Sequence, residues 1–170
     1  MGMDVSGISP KINKSMSDFP TLEKWDSIDW GDRDEEEWKK EQEQYWKEEK
    51  EFNEANVGVY FRNNCWWWRP LWNFCAHHSP ELIDEETFHS GHCNDGAGLN
   101  AEDSVKLGTK LLALIEDGTV LAHEKEIILS NEEAQAKDPD NSLAGAYPFS
   151  VENVEEFANF CIQSGGFEIW

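Results

Sequence analysis

Positive charge is what this sequence has least of. Lysine and arginine together number 14 against 35 aspartates and glutamates, a formal charge of -21. That balance repels nucleic acid and anionic membrane surfaces at long range, so direct binding to either is not expected. Long apolar runs are also missing. Nothing approaches the roughly 18 consecutive apolar residues of a membrane-spanning helix. The opening Met1-Gly2-Met3-Asp4-Val5 has neither the basic nor the apolar region of a secretory signal. Cysteine is sparse: Cys65, Cys75, Cys93 and Cys161 lack the spacing of a secreted disulfide framework. Reduced thiols and a cytoplasmic location are therefore expected, the host cytoplasm if the chain is phage-encoded. The G-x-S-x-G, Walker, G-x-G-x-x-G and H-E-x-x-H patterns are all absent. The balance leans away from an enzyme, and no cofactor is expected beyond a weak case for zinc.

What remains is one domain of 170 residues, with 39% hydrophobic and 29% charged residues, enough to bury a core. The pattern reads as α+β and mostly helical: about four helices around a small sheet of N-terminal, central and C-terminal strands. Met3 to Ile8 reads as a strand stopped by Pro10. Residues 11–34 are polar and turn-rich, with Phe19, Trp25, Ile28 and Trp30 as docking anchors. Residues 34–54 are rich in Glu, Lys and Gln with no Gly or Pro, a helix by composition. Asp34 to Glu37 suit its first turn, where the dipole favours acids. Trp38, Tyr45 and Phe52 recur every seven residues beside Trp46. That seam packs on the protein's own body or serves self-association.

Residues 57–62 suit a strand, Asn63-Asn64 a turn, and Pro70 the first position of a helix running to about His78. Residues 81–88 add a helical turn, and 90–98 read as a loop. Asn100 caps a helix that Gly118 breaks or that continues to about Leu129. Residues 130–147 read as a partly mobile connection. Ser150 caps the last helix, Phe149 and Val154 form its hydrophobic staple, and Gly165 ends it in a left-handed cap. Phe167 to Trp170 alternates like a closing strand beside residues 3–8.

Three blocks carry a resemblance. They are the Met1-Gly2-Met3-Asp4-Val5-x-Gly7-x-x-Pro10 opening, the run from Tyr60-Phe61-Arg62-Asn63-Asn64 through Trp66-Trp67-Trp68-Arg69-Pro70-Leu71, and the ending from Phe149 through Asn153-Val154 and Phe157-Ala158 to Ser164-Gly165-Gly166-Phe167. Together they resemble a set of small uncharacterised proteins from bacteriophages and bacteria. The resemblance implies a phage-like origin and carries no catalytic residue. In that set the opening runs into the tryptophan block after a shorter gap, so residues 11–56 look like an acidic, aromatic-bearing insertion.

Tyr60 to Trp72 holds Trp66, Trp67, Trp68 and Trp72, four of the nine tryptophans, and Arg62 and Arg69, the only basic residues between Glu51 and Val105. Arginine offers a rigid fork of donors for phosphate or carboxylate, and an indole offers a stacking face. Arg62, Asn64, Trp66, Trp67, Trp68, Arg69 and Trp72, with His92, Asn94 and Asp95, are the candidate ligand-binding residues. The plainer reading puts the rings in the core and the arginines in internal ion pairs. Cys75, His77, His89, His92 and Cys93 are candidate zinc ligands, though a C-x-x-C half-site is missing. Cys93 with His92 or His123 is a weak nucleophile pair.

The leading expectation is a binding protein that sequesters an anionic, nucleotide-like ligand, with a possible anti-defence role. One alternative is an acidic inhibitor or nucleic-acid mimic that grips a basic host protein through residues 25–54. Another is a metal-dependent hydrolase at the His/Cys loop, with Asp95 or Glu81 as base.

Overall fold

The structure is a computed structural model. It describes residues 2–141, 143 and 145–170, and of Trp30 only the backbone, so the anchoring expected of that side chain lies outside the described residues. The fold is α+β. Four antiparallel strands, β1 (Gly2–Gly7), β2 (Tyr60–Asn64), β3 (Ala97–Leu99) and β4 (Phe167–Ile169), form one sheet in the order β2-β1-β4-β3. Among the described residues there are seven α-helices rather than about four. They are α1 (Pro20–Asp26), α2 (Glu35–Ala55), α3 (Cys65–His78), α4 (Glu85–Ser90), α5 (Ala101–Glu116), α6 (Thr119–Lys137) and α7 (Val151–Gln163).

Local chemistry places several of these boundaries. Asp34, Asn100 and Ser150 each accept the backbone N–H three residues on, as N-caps do. Phe149 and Val154 are both buried at the start of α7. Gly165 and Gly166 follow α7 with positive φ of 63° and 93°. A Cβ on Gly165 would sit 2.1 Å from the Ser9 carbonyl oxygen, so this turn needs glycine for space as well as for conformation.

The expected start of α3 is corrected. Pro70 lies inside the helix, and Asn63 and Asn64 are strand residues. Asn64 Oδ1 accepts from the N–H groups of Trp66 and Trp67, so the helix begins straight off the strand at Cys65. The stretch at 130–147 is corrected in part: residues 130–137 are helix, and Ser142 and Ala144 lie outside the described residues. Gly118 breaks the α5 pattern with φ 85°, and α6 then runs on to Lys137. Strand β3 lies mostly within the 90–98 stretch whose sequence reads as a loop. Its Gly98 allows the β4 backbone an approach that no side chain would tolerate, since a Cβ there would lie 1.7 Å from the Phe167 carbonyl oxygen.

Two hydrophobic clusters hold the chain together. The larger joins the sheet to α3, α5 and α7 through Val5, Trp68, Leu71, Trp72, Leu107, Leu111, Phe157, Phe160 and Phe167. The smaller joins α1 to α2 through Phe19, Leu22, Trp25, Tyr45 and Phe52, with Trp38 and Val59 against it. The aromatic seam of α2 thus packs on the protein's own α1 rather than being left free for self-association. Trp46 stays half exposed. Asn56, fully buried, fastens this arm: its Oδ1 accepts from the Asn13 and Lys14 N–H groups, and its Nδ2 donates to the Lys14 carbonyl.

Glu48 is the other buried tie. Phe19 offers α1 no side-chain cap, and the Glu48 carboxylate supplies one by accepting from Thr21 and Leu22 N–H at 2.8 and 3.0 Å, and from Gln44. Burial pushes its pKa up, but the hydrogen bonds from Gln44, Leu22 and Thr21 outweigh this and hold it below the usual range. Its stabilising contribution is therefore present at neutral pH and lost as pH falls through that depressed value, below about 4.3. Glu48→Ala should lower stability by about 1–2 kcal/mol in denaturant titrations at neutral pH, as expected for a lost helix cap. The deficit should shrink at strongly acid pH.

Candidate functional site

Helix α3 fixes the positions of most candidate residues. Its buried stripe is Trp68, Leu71, Trp72 and Cys75, the i, i+3, i+4, i+7 pattern of a core-facing helix. Trp68 and Trp72 stack at 5.3 Å with planes 14° apart and are sealed from water. Their Nε1–H groups donate to the carbonyls of Gly91 (2.8 Å) and Phe88 (3.1 Å). These two indoles are core and loop anchors, so they offer no face to a ligand. Trp66 and Trp67 are half-buried, and the Trp66 ring lies 5.1 Å from that of Tyr147.

The two arginines do not share a cavity. Arg62 stands on β2, its Nε 3.4 Å from Asp4 Oδ1, an oxygen that also accepts from the Tyr60 hydroxyl. Arg69 is exposed on α3 and donates from Nη1 to the Tyr147 hydroxyl at 3.1 Å. Among the described residues no carboxylate stands within ion-pair distance of it. Helix α3 starts at Cys65 and Asn64 caps its first N–H groups, so no free helix N-terminus opens beside Arg69 at Pro70. Asn64 is thereby committed to structure.

His92 is half-buried against Phe88, and its Nδ1 is enclosed without a partner. Burial, then the positive charge of Arg69, lowers its pKa. Asn94 takes a left-handed φ of 53° and donates to the Gly2 carbonyl. Asp95 is exposed at a shallow depression beside Gly96 and Gly98. These three belong to the loop that the indoles anchor, and none lines the cavity beside Arg69.

The proposed zinc set is not assembled. Cys75 is enclosed in the core, where burial drives its thiol pKa far up, while His77, His89 and Cys93 are exposed. Among the described residues no group of three or more His, Cys, Asp or Glu is placed to hold a metal ion. Cys93 Sγ approaches the His89 carbonyl rather than an imidazole. Glu81, a candidate base, pairs with Lys110 at 2.9 Å.

A different cluster emerges between α3 and α6. Two adjoining cavities of about 430 and 580 Å³ share Asn73 and His123. Arg69, Pro70, Ile127 and Tyr147 line the first; Phe74, His77, His78 and Glu126 line part of the second. Arg69, Asn73 and His77 sit at i, i+4 and i+8, one exposed stripe of α3. Phe74 lies under the imidazoles, 4.3 Å from His78 and 5.1 Å from His123, and Phe149 closes on His123 at 4.7 Å. Burial, then the neighbouring His77, lowers the His78 pKa. Burial lowers that of His123 against an opposing pull from Glu126. At neutral pH the groove thus presents one fixed cation and, at His78 and His123, neutral imidazoles that can donate, accept or take up a proton.

His78, His92 and His123 all protonate less readily when folded than when unfolded. On acidification below about pH 6.5 the unfolded chain takes up those protons first, so stability falls with pH across that window. His123→Gln should flatten the fall. Denaturation midpoints followed by circular dichroism between about pH 7 and about pH 5 should drop less in the variant than in the parent.

No family model matches the chain, and no curated protein and no solved structure is similar to it.

Proposed function

We propose that this chain is a phage-type binding protein that sequesters a small anionic, nucleotide-like ligand in the groove between α3 and α6. The observation that carries the reading is Arg69: a guanidinium without a carboxylate partner among the described residues, in a chain of charge -21, beside His77, His78 and His123. Apart from Glu126, the rest of the groove suits a ring bearing an acid. Pro70, Phe74, Ile127 and Tyr147 supply apolar and aromatic surface, Asn73 an amide for polar edges, and Arg69 a bidentate fork for phosphate. The ligand-binding set proposed for this groove is Arg69, Asn73, His77, His78, His123 and Tyr147, and of the ten residues expected from the sequence only Arg69 lines it. Acting in the cytoplasm of an infected cell, such a protein would withdraw a signalling nucleotide from host defence. That role rests on the resemblance to phage proteins together with this groove.

The acidic-inhibitor reading through residues 25–54 has less behind it. The aromatic side of α2 is engaged with α1. Its outer acids partly pair along the helix, Glu35 with Lys39, Glu51 with Lys47 and Glu54 with Lys50.

Isothermal titration against mono-, di- and cyclic nucleotides tests the proposal. At least one should bind, and Arg69→Ala should weaken it by about tenfold or more, the loss of a charge-assisted contact. Affinity should rise as pH falls from about 7 to about 6, because a bound anion favours protonated His78 and His123. Absence of binding across the panel, or affinity indifferent to Arg69→Ala, overturns it.

A further inference from the structure

A separate cavity, of about 470 Å³, lies between the α1–α2 arm and β2, and its lining carries charge of both signs. Asp26 comes from α1, Glu49 from α2 and Arg62 from β2. Leu22, Phe52 and Val59 supply its apolar lining. Trp46 adds an indole that is 51% exposed yet set edge-on against Trp38 and Tyr45, at 6.2 and 5.1 Å. Its neighbours on the arm already receive internal cations: the Lys24 amine lies 4.6 Å from the Trp25 ring centre, and the Arg33 guanidinium 5.0 Å from that of Trp38. Trp46 receives none among the described residues.

The two acids of this cavity differ. Asp26 accepts from the Tyr45 hydroxyl at 2.8 Å. Glu49 has no hydrogen bond or ion pair among the described residues, and burial, then the Asp26 charge, pushes its pKa up. It is a carboxylate lacking a counter-cation. Arg62 is held at its Nε by Asp4, and 62% of its side chain is open to solvent. A lone anion entering here would meet Asp26 and Glu49, and a lone cation would meet Arg62. A molecule bearing both charges answers both ends of the site.

We propose that this cavity binds a small zwitterion, an amine-bearing organic acid of the amino-acid class, its ammonium against Trp46, Asp26 and Glu49 and its acid group on Arg62. The cation–π contact and the guanidinium fork give the two ends different chemistry and so fix the direction of the ligand. The volume suits one small molecule. Nothing in this site depends on the groove between α3 and α6.

Titration calorimetry on the full chain provides the test, using lysine, arginine, tryptophan and γ-aminobutyrate beside the half-ligands butylamine and butyrate. At least one zwitterion should bind about tenfold or more tighter than either half-ligand. Glu49→Gln should weaken zwitterion and butylamine alike, while Arg62→Gln should weaken only the zwitterion. Arg69→Ala should change neither, which separates this site from the nucleotide reading. Trp46→Leu, at a half-exposed position, reports on the amine end if Glu49→Gln proves unstable. Failure of every zwitterion to bind overturns the proposal. So does butylamine binding as tightly as the best zwitterion, or zwitterion affinity that survives both Arg62→Gln and Trp46→Leu.

Discussion

The stacked pair of Trp68 and Trp72 sets the rotation of α3, and that rotation decides what the rest of the molecule can do. Two large indoles, fully enclosed and each donating to a backbone carbonyl of the 88–91 segment, tolerate no turn of the helix about its axis. Once they face the core, residues 69, 73 and 77 must face outward. A tryptophan-rich segment that reads as a ligand platform is thus mainly the device that presents Arg69, Asn73 and His77 in a row. The same pair holds the loop bearing His92 and Asn94, so the orphaned polar atoms of that loop are positioned by hydrophobic burial rather than by a polar network.

Scarcity of positive charge gives the few cations meaning, and most are already committed. Lys24 bridges Glu37 and Glu41, Lys106 pairs with Glu102 and Asp103, and Lys110 pairs with Glu81. Arg33 sits over Trp25 and Trp38. Exposed pairs of this sort contribute little to stability. Their effect is to leave Arg69, which donates only to a tyrosine hydroxyl, as an unneutralised charge at a concave surface. Arg62 is intermediate, shared with Asp4 and open on its far side.

The sequence made some of this legible and hid the rest for identifiable reasons. Helix α2 was readable to within a residue because its composition is uniform and Asp34 caps it. The caps at Asn100 and Ser150, the glycine stop after α7, and the pairing of β1 with β4 were readable from short-range chemistry. The start of α3 was not. Proline favours a first helical turn, and that preference outweighed the weaker sign of Asn64, whose side chain caps the helix six residues earlier. Strand β3 is three residues long and contains glycine, so it carries no alternation to detect. Arg69 stands out in the sequence because basic residues are rare there. His123 was missed as a partner of His77 and His78 because their meeting depends on Gly118, whose left-handed turn returns α6 toward α3. That is a tertiary event no local pattern encodes.

The electrostatics of the whole and of the parts pull in opposite directions, and geometry reconciles them. A surface of charge -21 repels an approaching anion, and this net charge is what the anion meets at distances beyond the reach of any single side chain. Within a Debye length, about 8–10 Å at physiological salt, the nearest groups dominate. In the α3–α6 groove those groups are a guanidinium and three imidazoles, with Glu126 the one acid lining either of its two cavities. At His78 and His123, burial first and then the neighbouring imidazole of His77 disfavour protonation in the empty groove. An anion that reaches them supplies the missing counter-charge and shifts their protonation in its own favour. Under the proposed function, the empty groove holds the single fixed charge of Arg69 and gains more on occupation, which would favour a ligand bearing an anion over one that is merely apolar.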